Sequence, residues 1–102
     1  MPKVEWHPEA GTEFRNAGCH YERQLEGLGG RFGQAILTAI TAAEENPRRY
    51  RRIDACCQII RVKKFPYSVI YQEKSLVIRI VAVMHQQRRP GYWKTRADNC
   101  LE

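Results

Sequence analysis

Side chains that could do chemistry gather where an apolar run near the carboxyl end of the chain stops. The run ends at His85, and Arg88 and Tyr92 follow within seven residues. Histidine titrates near neutrality and can move a proton, while cations interleaved with aromatic rings suit a polyanionic target. The pattern predicts a surface that engages a larger molecule. A plainer role for His85 is a hydrogen bond to backbone at the end of a strand.

Further cations precede this segment. Arg61 and Lys63 project from the same side of the predicted strand Gln58–Lys64, because strand side chains alternate. The run RRYRR at positions 48–52 fits either a phosphate-binding patch or a solvated loop. The residues predicted to bind nucleic acid or a protein partner are Arg61, Lys64, Arg89, Lys94, Arg96, Arg48, Arg49, Arg51 and Arg52.

The elements that position these residues are strands. Stretches 67–72 and 76–83 are rich in aromatic and β-branched residues and predict a hairpin with a polar turn between them. Strict alternation places Ile78, Ile80, Ala82 and Met84 on one face of the second strand. His85 then falls on the opposite face.

The amino-terminal half predicts helices. Lys3–Trp6 alternates like an edge strand, and apolar residues then recur at helical spacing from position 10 to 28. Gly29-Gly30 predicts a break, and a second helix from near Arg31 to Asn46-Pro47. The expected fold class is α+β, with a two-helix hairpin packed on a small antiparallel sheet. At 102 residues the expected organisation is a single domain spanning 1–102.

Charge divides the chain in two. Residues 1–46 carry four basic and seven acidic side chains, whereas residues 47–102 carry thirteen basic and four acidic ones. The net charges are therefore −3 and +9, which sum to the +6 of the whole chain. This asymmetry predicts a polyanionic target or an acidic partner for the strand half. Cations that serve only solubility are the alternative.

Several function classes are not expected. No apolar run approaches the ~20 residues of a membrane span, and no signal peptide is apparent, so we expect a cytoplasmic protein without a membrane partner. The cysteines, Cys19, Cys56, Cys57 and Cys100, form no C-x-x-C pair. We expect them to be small apolar residues rather than a metal or redox site, and we expect neither a metal nor a cofactor.

The motif FPYSVIYQ, the strand I-x-I-V-A-V-M-H and the tail R-R-P-G-Y-W-x-x-R resemble the RelE/ParE superfamily of toxins from type II toxin–antitoxin modules. EWHPEA, GGRFGQAI and ENPRRY are similar too, so the resemblance covers about residues 3 to 96. It implies the fold expected above and a cognate antitoxin that wraps around the toxin. RelE-like members cut messenger RNA on the ribosome, whereas ParE-like members inhibit DNA gyrase without hydrolysis.

The RelE pattern assigns RNA cleavage to strand lysines, two arginines and a tyrosine. By resemblance, Lys63 or Lys64 matches a lysine and Tyr92 matches the tyrosine. The two arginine positions fall on Ser68 and Gln86, and neither can hold phosphate charge as an arginine does. The chain therefore departs from RelE at two cationic positions.

The resemblance leaves three activities open. The first is a messenger RNA endonuclease acting without metal, with His85, Tyr92, Arg88 and Lys63 as its catalytic residues and the ribosome as its site of action. His85 would then act as general acid or base in place of the missing arginine. The second is a non-enzymatic inhibitor that binds DNA gyrase. The third is a degenerate member that binds only its antitoxin.

Overall fold

Two helices lie on one face of a five-stranded sheet in the computed structural model, which describes residues 3–97. The α+β fold with a two-helix hairpin is thereby confirmed. The elements in chain order are β1 (Lys3–Trp6), α1 (Pro8–Gln24), α2 (Leu28–Glu45), β2 (Arg51–Arg52), β3 (Gln58–Arg61), β4 (Tyr67–Lys74), β5 (Val77–His85) and a 3-10 turn (Lys94–Arg96).

The sheet is mixed rather than wholly antiparallel. Its strand order is β1-β5-β4-β3-β2, and β1 runs parallel to β5 while the other pairs are antiparallel. The amino-terminal strand therefore lies beside the last strand, and the helix hairpin connects it to the far edge of the sheet. β5 and β4 are central and carry most of the buried residues of the sheet.

The helix hairpin turns earlier than the sequence predicts. α2 begins at Leu28, so Gly29 lies inside its first turn and does not break the helix. A side chain at Gly29 would meet the carbonyl oxygen of Gly18 at 2.6 Å, which explains the need for glycine there. Glu22 of α1 accepts hydrogen bonds of 3.0 Å from the backbone N–H groups of Gly27 and Gly29. These bonds satisfy donors that the start of α2 leaves free.

The main core fills the space between the helices and the sheet. Aromatic rings from both layers meet there, with Phe32 of α2 within 5.3 Å of the rings of Tyr21, Phe65 and Tyr67, measured between ring centroids. The fully or nearly buried members are Ala10, Ala17, Phe32, Ile36, Ala39, Ile40, Ala43, Ile60, Val62, Val69, Tyr71, Ile78, Ile80 and Val83.

A β-bulge in β5 changes which side chains face the helices. Ile70 is opposite Ala82 whereas Tyr71 is opposite Ile80, so Val81 is an extra residue on β5. The strict alternation that the sequence predicts is therefore wrong beyond Ile80. Val83 and His85 lie on the helix side. Ala82 lies on the other face, called the outer face here.

A smaller core covers the outer face. Trp93, 4% exposed, packs there with Cys57, Ile70, Val81 and Ala82. Cys57 and the exposed Cys19 are free thiols. Cys56 is disulfide-bonded, so the expectation of small apolar cysteines is wrong at that position, and Cys100 lies outside the described residues.

Neither described helix has the length and hydrophobicity to cross a bilayer. Within residues 3–97, no group of three histidine, cysteine or acidic side chains is arranged to hold a metal ion.

Candidate functional site

His85 lies on the helix side at the end of β5. Its ring packs edge-on against Tyr67, with 5.0 Å between centroids. Its Nδ1 accepts a hydrogen bond of 3.0 Å from the backbone N–H of Gln87, and its carbonyl accepts one from Arg88. Because Nδ1 is an acceptor, the neutral ring carries its proton on Nε2. The imidazole thus closes the turn that follows the strand.

Tyr92 and two arginines surround the carboxylate of Glu13. The Tyr92 hydroxyl donates to Oε2 at 2.7 Å. Arg96 donates to both oxygens, at 2.9 Å and 3.2 Å, in the two-pronged geometry that makes arginine–carboxylate pairs strong. Arg88 lies farther off, at 3.9 Å from Oε2. The Glu13 and Arg96 side chains are only 15% and 9% exposed.

The Tyr92 ring lies between two guanidinium groups. The central carbons of Arg88 and Arg96 are 4.0 Å and 5.0 Å from the ring centroid. Burial, the hydrogen bond to Glu13 and the negative charge of Glu13 together raise the pKa of the Tyr92 hydroxyl well above its usual range. The phenol therefore stays protonated and bound to the carboxylate.

This cluster closes the edge of β5. β1 pairs with β5 only as far as Ile80, so no strand among the described residues lies beside the rest of this edge. Instead, Val83 donates its backbone N–H to Glu13 at 3.1 Å. Arg96 donates to the carbonyl of Val81 at 3.3 Å. Buried backbone groups need such partners, so Glu13 and Arg96 stand in for a missing strand.

A shallow pocket of about 660 Å³ opens on the outer face. Arg51 and Arg61 line it together with Ser68 and Gln86, the two positions where the resemblance places arginines in RelE. Within residues 3–97, no carboxylate lines this pocket. Arg51 and Arg61 thus place two cations in this pocket, whereas Ser68 and Gln86 are neutral.

A larger groove of about 910 Å³ runs between α2 and β3 on the helix side. Lys63 and Lys64, which the turn after β3 carries, lie on its wall. Apolar residues such as Ala35 and Phe65 form much of its surface. In the described part of the chain, its lining contains no acidic residue and five cationic ones, which are Arg31, Arg49, Arg61, Lys63 and Lys64.

The segment Arg48–Arg52, called the arginine ridge here, includes β2 and runs along the edge of β3 that does not pair with β4. All four of its arginines are exposed. Arg48 pairs with Glu73 at 3.4 Å, and Arg52 donates to the carbonyl of Ala55. The remaining basic residues predicted to bind a partner, Arg89 and Lys94, are exposed in the segment after β5.

The predicted catalytic residues do not converge on one surface. His85 faces the helix side, Lys63 lies on the wall of the groove, and Arg88 and Tyr92 meet at Glu13 beside the edge of β5. All four are carried by the end of β5 or by the segments that follow β3 and β5. Their functional groups nevertheless point to different neighbours.

Comparison with known proteins identifies the family of this chain. A family model described as the ParE toxin of the type II toxin–antitoxin system parDE matches residues 4–90. The chain belongs to the ParE toxin family. It is therefore a toxin of a type II toxin–antitoxin system, and the partner of such a toxin is an antitoxin. No curated protein matches the sequence.

Two solved structures share the fold of this ParE-family chain. A chain of the chromosomal ParDE toxin–antitoxin system from P. aeruginosa superposes with a TM-score of 0.70 at 16% identity, covering 83% of this chain and 96% of its own. The isolated RelE toxin of E. coli gives a TM-score of 0.66 at 17% identity, covering 93% and 95%. The fold of this chain is thus similar to those of both structures.

Glu13 is the residue that sequence reasoning missed in this ParE-family toxin. The sequence signal was its spacing, three residues after Ala10 and four before Ala17, both of which are buried. A carboxylate on a buried helix face needs a cation. The partner, Arg96, is 83 residues away, and local patterns do not reveal such pairs.

Proposed function

We propose that this ParE-family toxin arrests growth by binding DNA gyrase, without cutting RNA. The observation that carries the proposal is the state of Tyr92, whose hydroxyl is bound to Glu13 between two guanidinium groups. Tyr92 is, with Lys63 or Lys64, one of the residues that resemble the RelE catalytic set without substitution. Its raised pKa and its partners make it a poor proton donor or acceptor for a substrate.

The chemistry of RNA cleavage supports the same proposal. Without metal, cleavage needs a base for the 2′-hydroxyl, cations for the phosphorane and an acid for the leaving oxygen. The outer pocket offers Arg51 and Arg61, but Ser68 and Gln86 are neutral. His85 lies on the opposite face of the sheet from this pocket. A substrate in the pocket would have cations without an acid–base pair.

The antitoxin is proposed to occupy the groove between α2 and β3. An apolar floor suits the apolar side of a helix or extended segment. The five cations that line the groove among residues 3–97 suit acidic residues on that segment. In this proposal Arg31, Lys63 and Lys64 are partner-binding residues. The strand half of the chain then uses its positive charge to select an acidic antitoxin.

Two assays on the same purified toxin test the proposed activity. We expect inhibition of plasmid supercoiling by purified gyrase, and we expect messenger RNA to stay intact both free and on ribosomes. The variant His85→Ala should leave RNA equally intact. RNA cleavage that disappears in His85→Ala would instead support the endonuclease. A toxin that leaves both supercoiling and RNA unchanged would support a member that binds only its antitoxin.

A further inference from the structure

The arginine ridge is held in place by two buried polar side chains. The amide of Gln58 donates to the carbonyls of Pro47 and Tyr50 at 2.6 Å and 2.9 Å. The hydroxyl of Tyr71 donates to the carbonyl of Pro47 at 2.6 Å. Gln58 is 4% exposed and Tyr71 is fully buried. Two polar groups in the core thus fix the backbone of an exposed loop, whose cations are presented at defined positions.

Most arginines of the ridge have no acidic partner among the residues that the structure describes. Arg48 has Glu73 as its partner, whereas no ion pair among residues 3–97 involves Arg49, Arg51 or Arg52. The nearest acidic residue along the chain, Asp54, uses its Oδ1 to accept hydrogen bonds from two backbone N–H groups. The field of the three arginines is therefore available to a ligand.

The composition of the ridge favours phosphate over a protein partner. Protein interfaces need apolar or aromatic anchors at their centre. The one ring in the ridge, that of Tyr50, packs against the main core and carries Arg49 at 5.8 Å from its centroid. Four guanidinium groups in five residues offer planar forks that match phosphate oxygens. The apolar groove, in contrast, suits a protein segment.

The packing of the Tyr50 ring favours duplex over single-stranded nucleic acid as the ligand. Proteins that hold single strands stack bases on exposed aromatic side chains, and Tyr50 is already engaged. The arginines reach both sides of the sheet, because Arg49 lines the groove on the helix side and Arg51 lines the pocket on the outer face. A ridge of this kind can follow a phosphate backbone without entering a base-reading groove.

From these observations we propose that the arginine ridge binds the phosphodiester backbone of duplex DNA without reading its sequence. Arginine–phosphate contacts position a protein on DNA and carry no direct sequence information. The proposal goes beyond the gyrase proposal and stands independently of it, because the contact needs no gyrase. Gln58 and Tyr71 are positioning residues, since they act through the backbone that carries the arginines.

The test measures fluorescence anisotropy of a labelled 24-base-pair duplex titrated with the toxin, without antitoxin or gyrase, over a series of salt concentrations. The ridge variant replaces Arg49, Arg51 and Arg52 with Gln. The control variant replaces the exposed Lys3, Arg15 and Arg23 with Gln and loses the same formal charge. Wild type and control should bind with steep salt dependence. The ridge variant should lose about 0.9 of the logarithmic salt slope per phosphate contact removed, up to about 2.7.

Two further measurements test the positioning role of Tyr71 and the preference of the ridge for DNA over an acidic polypeptide. Tyr71→Phe keeps the ring and removes the bond to Pro47, and it should weaken DNA binding while circular dichroism and the thermal transition show a folded protein. Polyglutamate at equal charge concentration should not displace the duplex. The proposal is overturned if wild type fails to bind, if ridge and control variants bind alike, or if polyglutamate or a single strand binds as well as duplex.

Discussion

The carboxylate of Glu13 joins three parts of the molecule. It lies on α1, accepts from the backbone of β5 and binds Tyr92 and Arg96 of the segment that follows. We expect Glu13→Gln to lower the free energy of unfolding by about 3 kcal/mol, because it takes from the largely buried Arg96 its closest and most buried charged partner. Urea denaturation would measure the change.

Glu9→Gln is the matched control for this change. Glu9 also pairs with Arg96, at 3.5 Å, but its side chain is 66% exposed. Exposed pairs contribute little, so the control should change stability by less than about 1 kcal/mol. Equal effects of the two substitutions would contradict the role given to the buried carboxylate.

The thiol of Cys57 makes the stability of the fold depend on pH in the alkaline range. Burial, with a smaller effect of the Asp54 charge, raises the pKa of this thiol from 9.0 to about 12. The unfolded chain releases the proton near pH 9 while the folded chain keeps it, so stability falls as pH rises from about 9 toward 12. In that window wild type should lose about 1.4 kcal/mol per pH unit more than Cys57→Ala.

Denaturant unfolding at several alkaline pH values would measure this difference. Tyrosines whose pKa is raised contribute to both proteins, so the comparison isolates the thiol. A pair of stability curves that stay parallel above pH 9 would mean that Cys57 is not held protonated by the fold.

At the scale of elements, the approach of α1 to α2 depends on Gly29. A Cβ there would lie 2.6 Å from the carbonyl oxygen of Gly18 and 2.9 Å from a carboxylate oxygen of Glu22. Gly29→Ala should therefore push the helices apart and lower stability by about 1–3 kcal/mol. The neighbouring Gly30 has open space around its Cβ position, so Gly30→Ala should raise stability by up to about 1 kcal/mol through helix propensity.

Thermal unfolding of the two variants checks this pair. The expected shifts have opposite signs, although both changes are Gly to Ala at adjacent positions of one helix. A loss of stability in both variants would show that this turn of α2 tolerates no side chain, for reasons other than contact with α1.

The helices and strands could be predicted from the sequence, because the spacing of hydrophobic residues follows the repeat of a helix or a strand. The two helices, the hairpin of β4 and β5, and their shared α+β arrangement follow from that spacing. The bulge at Val81 could not be predicted in this way, because the residue types of β5 do not mark it. Beyond the bulge, the side chains that the alternation assigns to one face of the sheet lie on the other. Gly29 misled for a related reason, since glycine serves both helix breaks and close helix contacts.

The site was harder to predict than the fold. Local sequence gives residue types but not their neighbours, and it did not predict that Arg51 and Arg61 line one pocket. The partners of Tyr92 and Arg96 come from α1, far away in sequence, and only packing brings them together. His85 shows the same limit, because its face depends on the bulge.

At the scale of the whole molecule, positive charge is divided between two surfaces with different chemistry. The groove combines cations with an apolar floor, whereas the ridge combines cations with a fixed backbone and no free apolar anchor. The two proposals assign an acidic antitoxin to the first and DNA to the second. Arg49 lies at their border and belongs to both.

This division predicts that antitoxin binding can be weakened without touching the ridge. Arg31→Glu with Lys63→Glu reverses two charges on the groove wall. We expect the complex with the cognate antitoxin to weaken at least about tenfold, because like charges then face each other across the interface. Isothermal titration calorimetry would measure it, and cells should arrest even when the antitoxin is co-expressed.

Arg15→Glu with Arg23→Glu is the charge-matched control, because both residues are exposed on α1 away from the groove lining. This control should bind antitoxin like wild type and be rescued by it. The groove variant should keep its DNA affinity closer to wild type than the ridge variant does, since its charge changes lie outside the ridge. If both charge-reversal variants lose antitoxin equally, net charge rather than the groove governs recognition, and the assignment of the antitoxin to this groove fails.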